Sequence, residues 1–114
     1  MQSKRDLLTA VYGAFNARQI DTVLAAMHPD VDWPNGWEGG RLRGQSSVRE
    51  YWLRQWAQID PRVEPVRIAD DAEGRTVVEV HQTVRDLAGN VVVDQTVWHA
   101  YTIEDGLIVR MEIL

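Results

Sequence analysis

From Thr76 to Leu114 the chain reads as three successive β-strands on which apolar side chains occupy both parities. Val77, Val78, Val80 and Val84 load the first strand, and Val91, Val92, Val93, Val97 and Trp98 the second. Leu107, Ile108, Val109, Met111, Ile113 and Leu114 load the third. A sheet with one solvated face alternates apolar with polar residues, so both faces of this one need cover. The same strands carry Glu79, His81, Gln95, His99 and Tyr101. Polar groups set into an apolar face suit the lining of a cavity better than a sealed core.

Upstream the period is helical. Ser3 can cap a first helix on which Leu7, Leu8, Val11, Tyr12 and Phe15 form one apolar stripe. Asn16-Ala17-Arg18-Gln19 breaks it. Asp21 is placed to cap a short second helix, with Ile20 as a staple, and Pro29 stops that helix at His28. Val31-Asp32-Trp33 is a short strand, followed by a glycine-rich loop without a nucleotide-binding spacing. Ser47-Val48-Arg49-Glu50 reads as a capping box for a third helix reaching about Ile59, and Arg62 to Ile68 as a strand.

Two turns predict register. Asp86-Leu87-Ala88-Gly89 and Ile103-Glu104-Asp105-Gly106 each place Gly where a type I turn with a G1 bulge wants positive φ. The first pairs Asp86 with Asn90, hence His81 with Gln95, Glu79 with Val97 and Val77 with His99. The second pairs Ile103 with Leu107, hence Tyr101 with Val109 and His99 with Met111. One face then carries Glu79, His81, Gln95, Val97, His99, Tyr101 and Met111, and the other Val78, Trp98, Ile108 and Leu114. A slip of one residue would exchange the sets. The element order is α-α-β-α-β-β-β-β in a single domain, 1–114, of the α+β class.

Composition narrows the function. A net charge of −5 over 114 residues argues against a nucleic-acid partner. No apolar run is long enough to span a bilayer, the N-terminal residues lack a signal-peptide pattern, and there is no cysteine for a disulfide or thiolate site. A cytoplasmic protein without a cofactor or membrane partner is the expectation. Trp33, Trp37, Trp52 and Trp56 concentrate the aromatic surface, as core or as the wall of a binding site.

At this point the residues resemble the nuclear-transport-factor-2-like superfamily, which includes SnoaL-like polyketide cyclases and ketosteroid isomerases. Phe15-Asn16-Ala17-Arg18-Gln19-Ile20-Asp21, His28-Pro29-Asp30-Val31-Asp32-Trp33, Leu42-Arg43-Gly44 and Asp105-Gly106-Leu107-Ile108 carry the resemblance along essentially the whole chain. It implies a cone-shaped curved antiparallel sheet wrapped around the N-terminal helices, a cavity within the cone, and a homodimer formed through the outer sheet face. Laid along the steroid isomerases, His99 takes the position of an oxyanion-holding Asp and Trp52 that of a cavity aromatic. Trp33 falls where they carry the proton-shuttling Asp, and Val11 where they carry the oxyanion Tyr. Asp32 and Tyr12 are neighbours of those last two positions, with Asp32 pointing to the opposite side of its strand and Tyr12 about 100° around its helix. With two of the three positions apolar, isomerisation by that mechanism is not expected.

His99 is therefore the first candidate for chemistry, as general acid or base, with Glu79 orienting it and Tyr101 or Gln95 donating to developing negative charge. The bland alternative is a buried, hydrogen-bonded histidine that fills the cone. Trp33, Trp52, Trp56, His81, Gln95, Val97 and Met111 are the expected lining. His81, His99 and Glu79 are also the residue types of a 2-His-1-carboxylate metal site, although their predicted spacing speaks against one, and no metal is expected. The expected ligand is a small hydrophobic molecule. Proton-transfer chemistry on a cyclic or carbonyl compound, passive binding of such a molecule, and a pure dimeric interaction domain remain open as functions.

Overall fold

The computed structural model describes residues 2–114. Two helices, α1 (Lys4–Asn16) and α2 (Ile20–Ala25), precede strands β1 (Met27–Pro34) and β2 (Arg41–Arg43). Helix α3 (Gln45–Trp56) leads into β3 (Ile59–Asp70), β4 (Thr76–Asp86), β5 (Val91–Glu104) and β6 (Leu107–Ile113). Together the strands make one six-stranded sheet in the order β2-β1-β6-β5-β4-β3. No helix of the described residues is long and apolar enough to cross a membrane.

Ser3 caps α1 as expected, its Oγ accepting from Asp6 N–H at 3.0 Å. Leu8, Val11, Tyr12 and Ala14 are the buried stripe of that helix. Its far end turns through Arg18 at φ 61°, and Gln19 N–H donates to Ala14 O at 2.8 Å. An arginine occupies this left-handed position, where glycine is usual, with its guanidinium over the Phe15 and Trp56 rings at 5.5 and 4.9 Å. The expected caps of the other two helices differ: Gln19 and Gly44 precede α2 and α3, and Ser47 lies inside α3. Gly44 sits at φ 88° with Pro29 O at 3.4 Å from where a Cβ would stand, so a β-carbon there would be strained and crowded.

The sheet is mixed, not antiparallel throughout. β1 runs parallel to β6, pairing Met27 with Ile108 and Asp32 with Arg110, and β2, which the glycine-rich loop concealed, pairs antiparallel with β1. The Asp86–Asn90 turn forms as predicted, with Asp86 N–H to Asn90 O at 2.9 Å and Gly89 at φ 95°. Beyond it Arg85 faces Val91 but Val84 faces Val93, leaving Val92 as an extra residue. That bulge shifts the register by one, so Val78 faces His99, Gln82 faces Gln95, and Glu79 faces Trp98. The second turn is a two-residue type I′ turn, with Asp105 at φ 53° and Gly106 at φ 76°. A further bulge at Val109 then brings Tyr101 opposite Met111. Those two single steps together preserve parity, and β6 keeps its expected face beyond the bulge.

The outer face therefore differs from expectation. Val78 and Ile108, expected beside Trp98 on the outside, are fully buried in the core. Around the exposed Trp98 the outer surface carries Glu79, His81, Asp94 and Thr96. A third bulge in β3, between Pro65 and Arg67, adds bend to the long strands and helps them curve around α1 and α3.

Asn16 fixes the edge of this curve. Its Nδ2–H donates to Val63 O at 2.7 Å, while Val63 N–H donates to its Oδ1 at 2.9 Å. One amide thus plays the part of a neighbouring strand for edge strand β3. Asn16→Asp removes the donor and sets a carboxylate against a carbonyl. Urea unfolding of that variant should show a stability loss of about 1–3 kcal/mol; wild-type stability would remove Asn16 as the edge clamp.

Candidate functional site

Alternation along β5 turns Val93, Gln95, Val97, His99 and Tyr101 toward the helices. The Val92 bulge matches them with Val78, Val80, Gln82 and Val84 of β4. From the opposite side α1 presents Val11, Tyr12 and Phe15, and α3 presents Tyr51, Trp52 and Gln55. Trp33 closes the end of β1. Except for Val78 and Val80, which lie deeper in the core, these groups, with Met111 and Ile113 of β6, surround a cavity of about 480 Å³. Its aromatic wall is interlocked: Trp33 and Trp52 meet edge to face at 5.7 Å, and Phe15 meets Trp52 at 5.2 Å.

Three polar side chains meet at the buried end. Tyr101 O–H donates to Tyr12 Oη at 2.8 Å, and Tyr12 Oη lies 2.8 Å from His99 Nδ1. All three residues are buried. Enclosed Tyr101 directs its proton to Tyr12. Tyr12 can then give its own proton to Nδ1, and the neutral ring carries its hydrogen at Nε2. In the opposite sense Nδ1–H would donate to Tyr12 and Tyr12 to Tyr101, and the enclosed Tyr101 proton would have no acceptor among the described residues. Trp56 Nε1 is the one fully enclosed side-chain nitrogen left unpaired among those residues; His99 lines the cavity, and only its Nδ1 has a protein partner among them.

Burial pushes the His99 pKa down to about 4. Burial likewise raises Tyr12 well above the ordinary phenol value, helped by Tyr101, and raises Tyr101 despite its bond to Tyr12. At neutral pH the three groups are uncharged. They present one N–H donor to an apolar space, an arrangement able to polarise a carbonyl oxygen and stabilise negative charge developing on it.

Of the residues expected to line the site, His99, Tyr101, Trp33, Trp52, Gln95, Val97 and Met111 surround the cavity. Trp56 does not; it stands behind the wall, stacked on Trp52 at 6.0 Å and against Phe15 at 5.4 Å. Glu79 and His81 point to the outer face, because the Val92 bulge exchanged the parity of β4 relative to β5. His81 Nε2 instead meets Asp94 Oδ1 at 2.7 Å in the open. Glu79 thus cannot orient His99, and the His81–His99–Glu79 metal set is divided between two faces.

Asp32 faces away from the cavity, as expected. Partial burial pushes its carboxyl up, but hydrogen bonding and charge from Arg41, with the charge of Arg110, hold it below the usual carboxylate value. Sequence reasoning missed Tyr12 and Gln82. Tyr12 lies on the Leu8–Tyr12–Phe15 stripe at spacings of four and three, so its inward direction was readable. Gln82 was hidden by the bulge, whose trace is the unbroken run Val91-Val92-Val93.

Residues 8–111 match the SnoaL-like domain family. Among solved structures, TerC co-crystallised with polyporic acid is 29% identical, with 95% of this chain and 87% of that chain covered at a TM-score of 0.81. An NTF2-like protein of unknown function from Burkholderia pseudomallei is 26% identical, with 100% and 91% covered at 0.85. A putative polyketide cyclase from Pseudomonas putida, 22% identical with 100% and 92% covered at 0.81, shares the fold. No curated protein matches the chain.

The depressed His99 pKa has a consequence for stability. An unfolded histidine titrates near 6.5, so between about pH 6.5 and pH 4 the unfolded chain binds a proton that the folded chain refuses. Stability is full above that window and declines as pH falls through it, by on the order of 3 kcal/mol. His99→Asn, which keeps an acceptor for Tyr12, should lack this part of the slope when urea unfolding is followed from pH 7 to pH 4. An unchanged slope would place the titration elsewhere.

Proposed function

Given that the chain belongs to the SnoaL-like domain family, we propose that it holds a small hydrophobic cyclic molecule in the cone and donates a hydrogen bond from His99 Nε2 to an oxygen of that molecule. The observation that carries this reading is the Tyr101–Tyr12–His99 chain, which engages Nδ1 and leaves Nε2 as the free N–H of a residue that lines an aromatic-walled cavity. A relative that co-crystallises with polyporic acid supports a small-molecule ligand. In the enzymatic form of the reading, solvent water takes the α-proton of a carbonyl substrate, the C–H electron pair passes into the enolate oxygen, and Nε2–H stabilises the charge developing there. This is isomerase-, cyclase- or dehydratase-like chemistry.

A low pKa and an N–H at Nε2 suit His99 to donation rather than to removing a proton from carbon. Tyr12, not Glu79, orients its ring. One observation favours a second reading, a binding module without chemistry: among the described residues no Asp or Glu lines the cavity to serve as base.

2-Tetralone, a bicyclic ketone, separates the readings. It should quench the fluorescence of Trp33 and Trp52, and His99→Phe should weaken binding about three- to tenfold, the range of one neutral hydrogen bond. The enzymatic form also requires faster exchange of its α-protons in D2O, followed by NMR, with the acceleration lost in His99→Phe. Binding without acceleration favours the passive module. No quenching, or equal affinity in the variant, overturns the role of His99.

The homodimer belongs to the same reading. Trp98 is 44% exposed and Leu114 60%, and Leu114 N–H donates to Trp98 O at 2.9 Å, so the two stand together as an anchor outside the cone. Sedimentation equilibrium should give a dimer for the wild type and a monomer for Trp98→Asp; a monomeric wild type would remove the dimer.

A further inference from the structure

We infer that Gln82 and Gln95 form a second recognition station, which receives an uncharged hydroxyl at the end of the ligand remote from His99. This rests on the cone being the ligand site, and it adds what else the ligand carries. The two glutamines face each other across β4 and β5 on the concave side, and both line the cavity at its solvent-exposed end. Gln95 Nε2–H donates to Gln82 Oε1 at 2.9 Å. That single bond leaves the Gln95 carbonyl free to accept and the Gln82 amide free to donate. Neither group has another partner among the described residues. Turning both amides over would give the same pairing with the roles exchanged, so the open edge always offers one donor beside one acceptor.

A hydroxyl, which gives one proton and accepts another, satisfies both. A carboxylate satisfies the donor alone and sets its charge against the glutamine carbonyl. Among the described residues no Lys or Arg lines the cavity to compensate. Gln95 and His99 are four residues apart on β5, about 13 Å between their Cα atoms in an extended strand. Val97 lies between them on the same face, an apolar floor for the body of the ligand. The ligand class is therefore a fused-ring compound with a carbonyl oxygen at one end, for His99, and a hydroxyl at the other.

The test compares 2-tetralone, 6-hydroxy-2-tetralone and 6-carboxy-2-tetralone by tryptophan quenching in the wild type, Gln82→Met and Gln95→Met. The hydroxyl compound should bind the wild type about three- to tenfold tighter than the parent, and the carboxylate no tighter than the parent. Each methionine variant should erase the hydroxyl advantage, read as the ratio of 6-hydroxy-2-tetralone to 2-tetralone affinity within that variant. If both 2-tetralone and its hydroxyl derivative bind the wild type equally, or if the advantage survives in both variants, the glutamine station is overturned and the cone stands as ligand site. Tighter binding of the carboxylate likewise overturns it. If none of the three compounds quenches, the reading of the cone as ligand site falls with it.

Discussion

Side-chain direction in the cone depends on a one-residue offset in β5. Alternation in a strand is strict, so an extra residue on one side of a ladder reverses which groups of the two strands share a face. Val92 is that residue. Because of it, Val78 and Val80 pack beneath the helices while Glu79 and His81 go to water. Gln82 joins Gln95 at the exposed end of the concave face. Without the offset, two ionisable side chains would enter the concave face opposite Val97 and Gln95, at a desolvation cost of the kind proteins avoid unless the charges are paired.

With charge kept out, the polar groups that remain can satisfy one another. Tyr101, Tyr12 and His99 are joined head to tail from β5 to α1 and back, which ties the N-terminal helix to the sheet across the cone. Breaking such a buried chain leaves an unsatisfied hydroxyl or ring nitrogen, a loss of about 1–3 kcal/mol. The same network fixes the histidine tautomer. Positioning the ring and holding the fold together are thus one interaction, and it needs no charged partner.

The aromatic wall is built on a comparable economy. Trp33, Trp52 and Phe15 interlock edge to face, and Trp56 braces them from behind. Arg18 covers the outer side of that brace and occupies a left-handed backbone position in doing so. Asn16, two residues earlier, clamps the edge strand. The short segment between α1 and α2 therefore supports both the wall and the open edge of the sheet.

Much of this was legible in the residues. Helical and strand periods, the Asp86–Gly89 turn, the inward face of β5 and the clustering of tryptophans follow from local rules of spacing and turn chemistry, and they marked out His99, Tyr101, Trp33 and Trp52. The partner of His99 was not legible. It depends on Tyr12, brought from 87 positions away, and on the exclusion of Glu79 by a bulge whose local signal, three valines in a row, fits either register. The parallel pairing of β1 with β6 was equally hidden, because short strands carry no record of their neighbours. The sequence alone determined, β2 excepted, which segments are helix or strand, and which chemical groups were available. Tertiary structure decided which of them meet, because a single inserted residue changes facing at no local cost, and only packing of the whole sheet against the helices distinguishes the two outcomes.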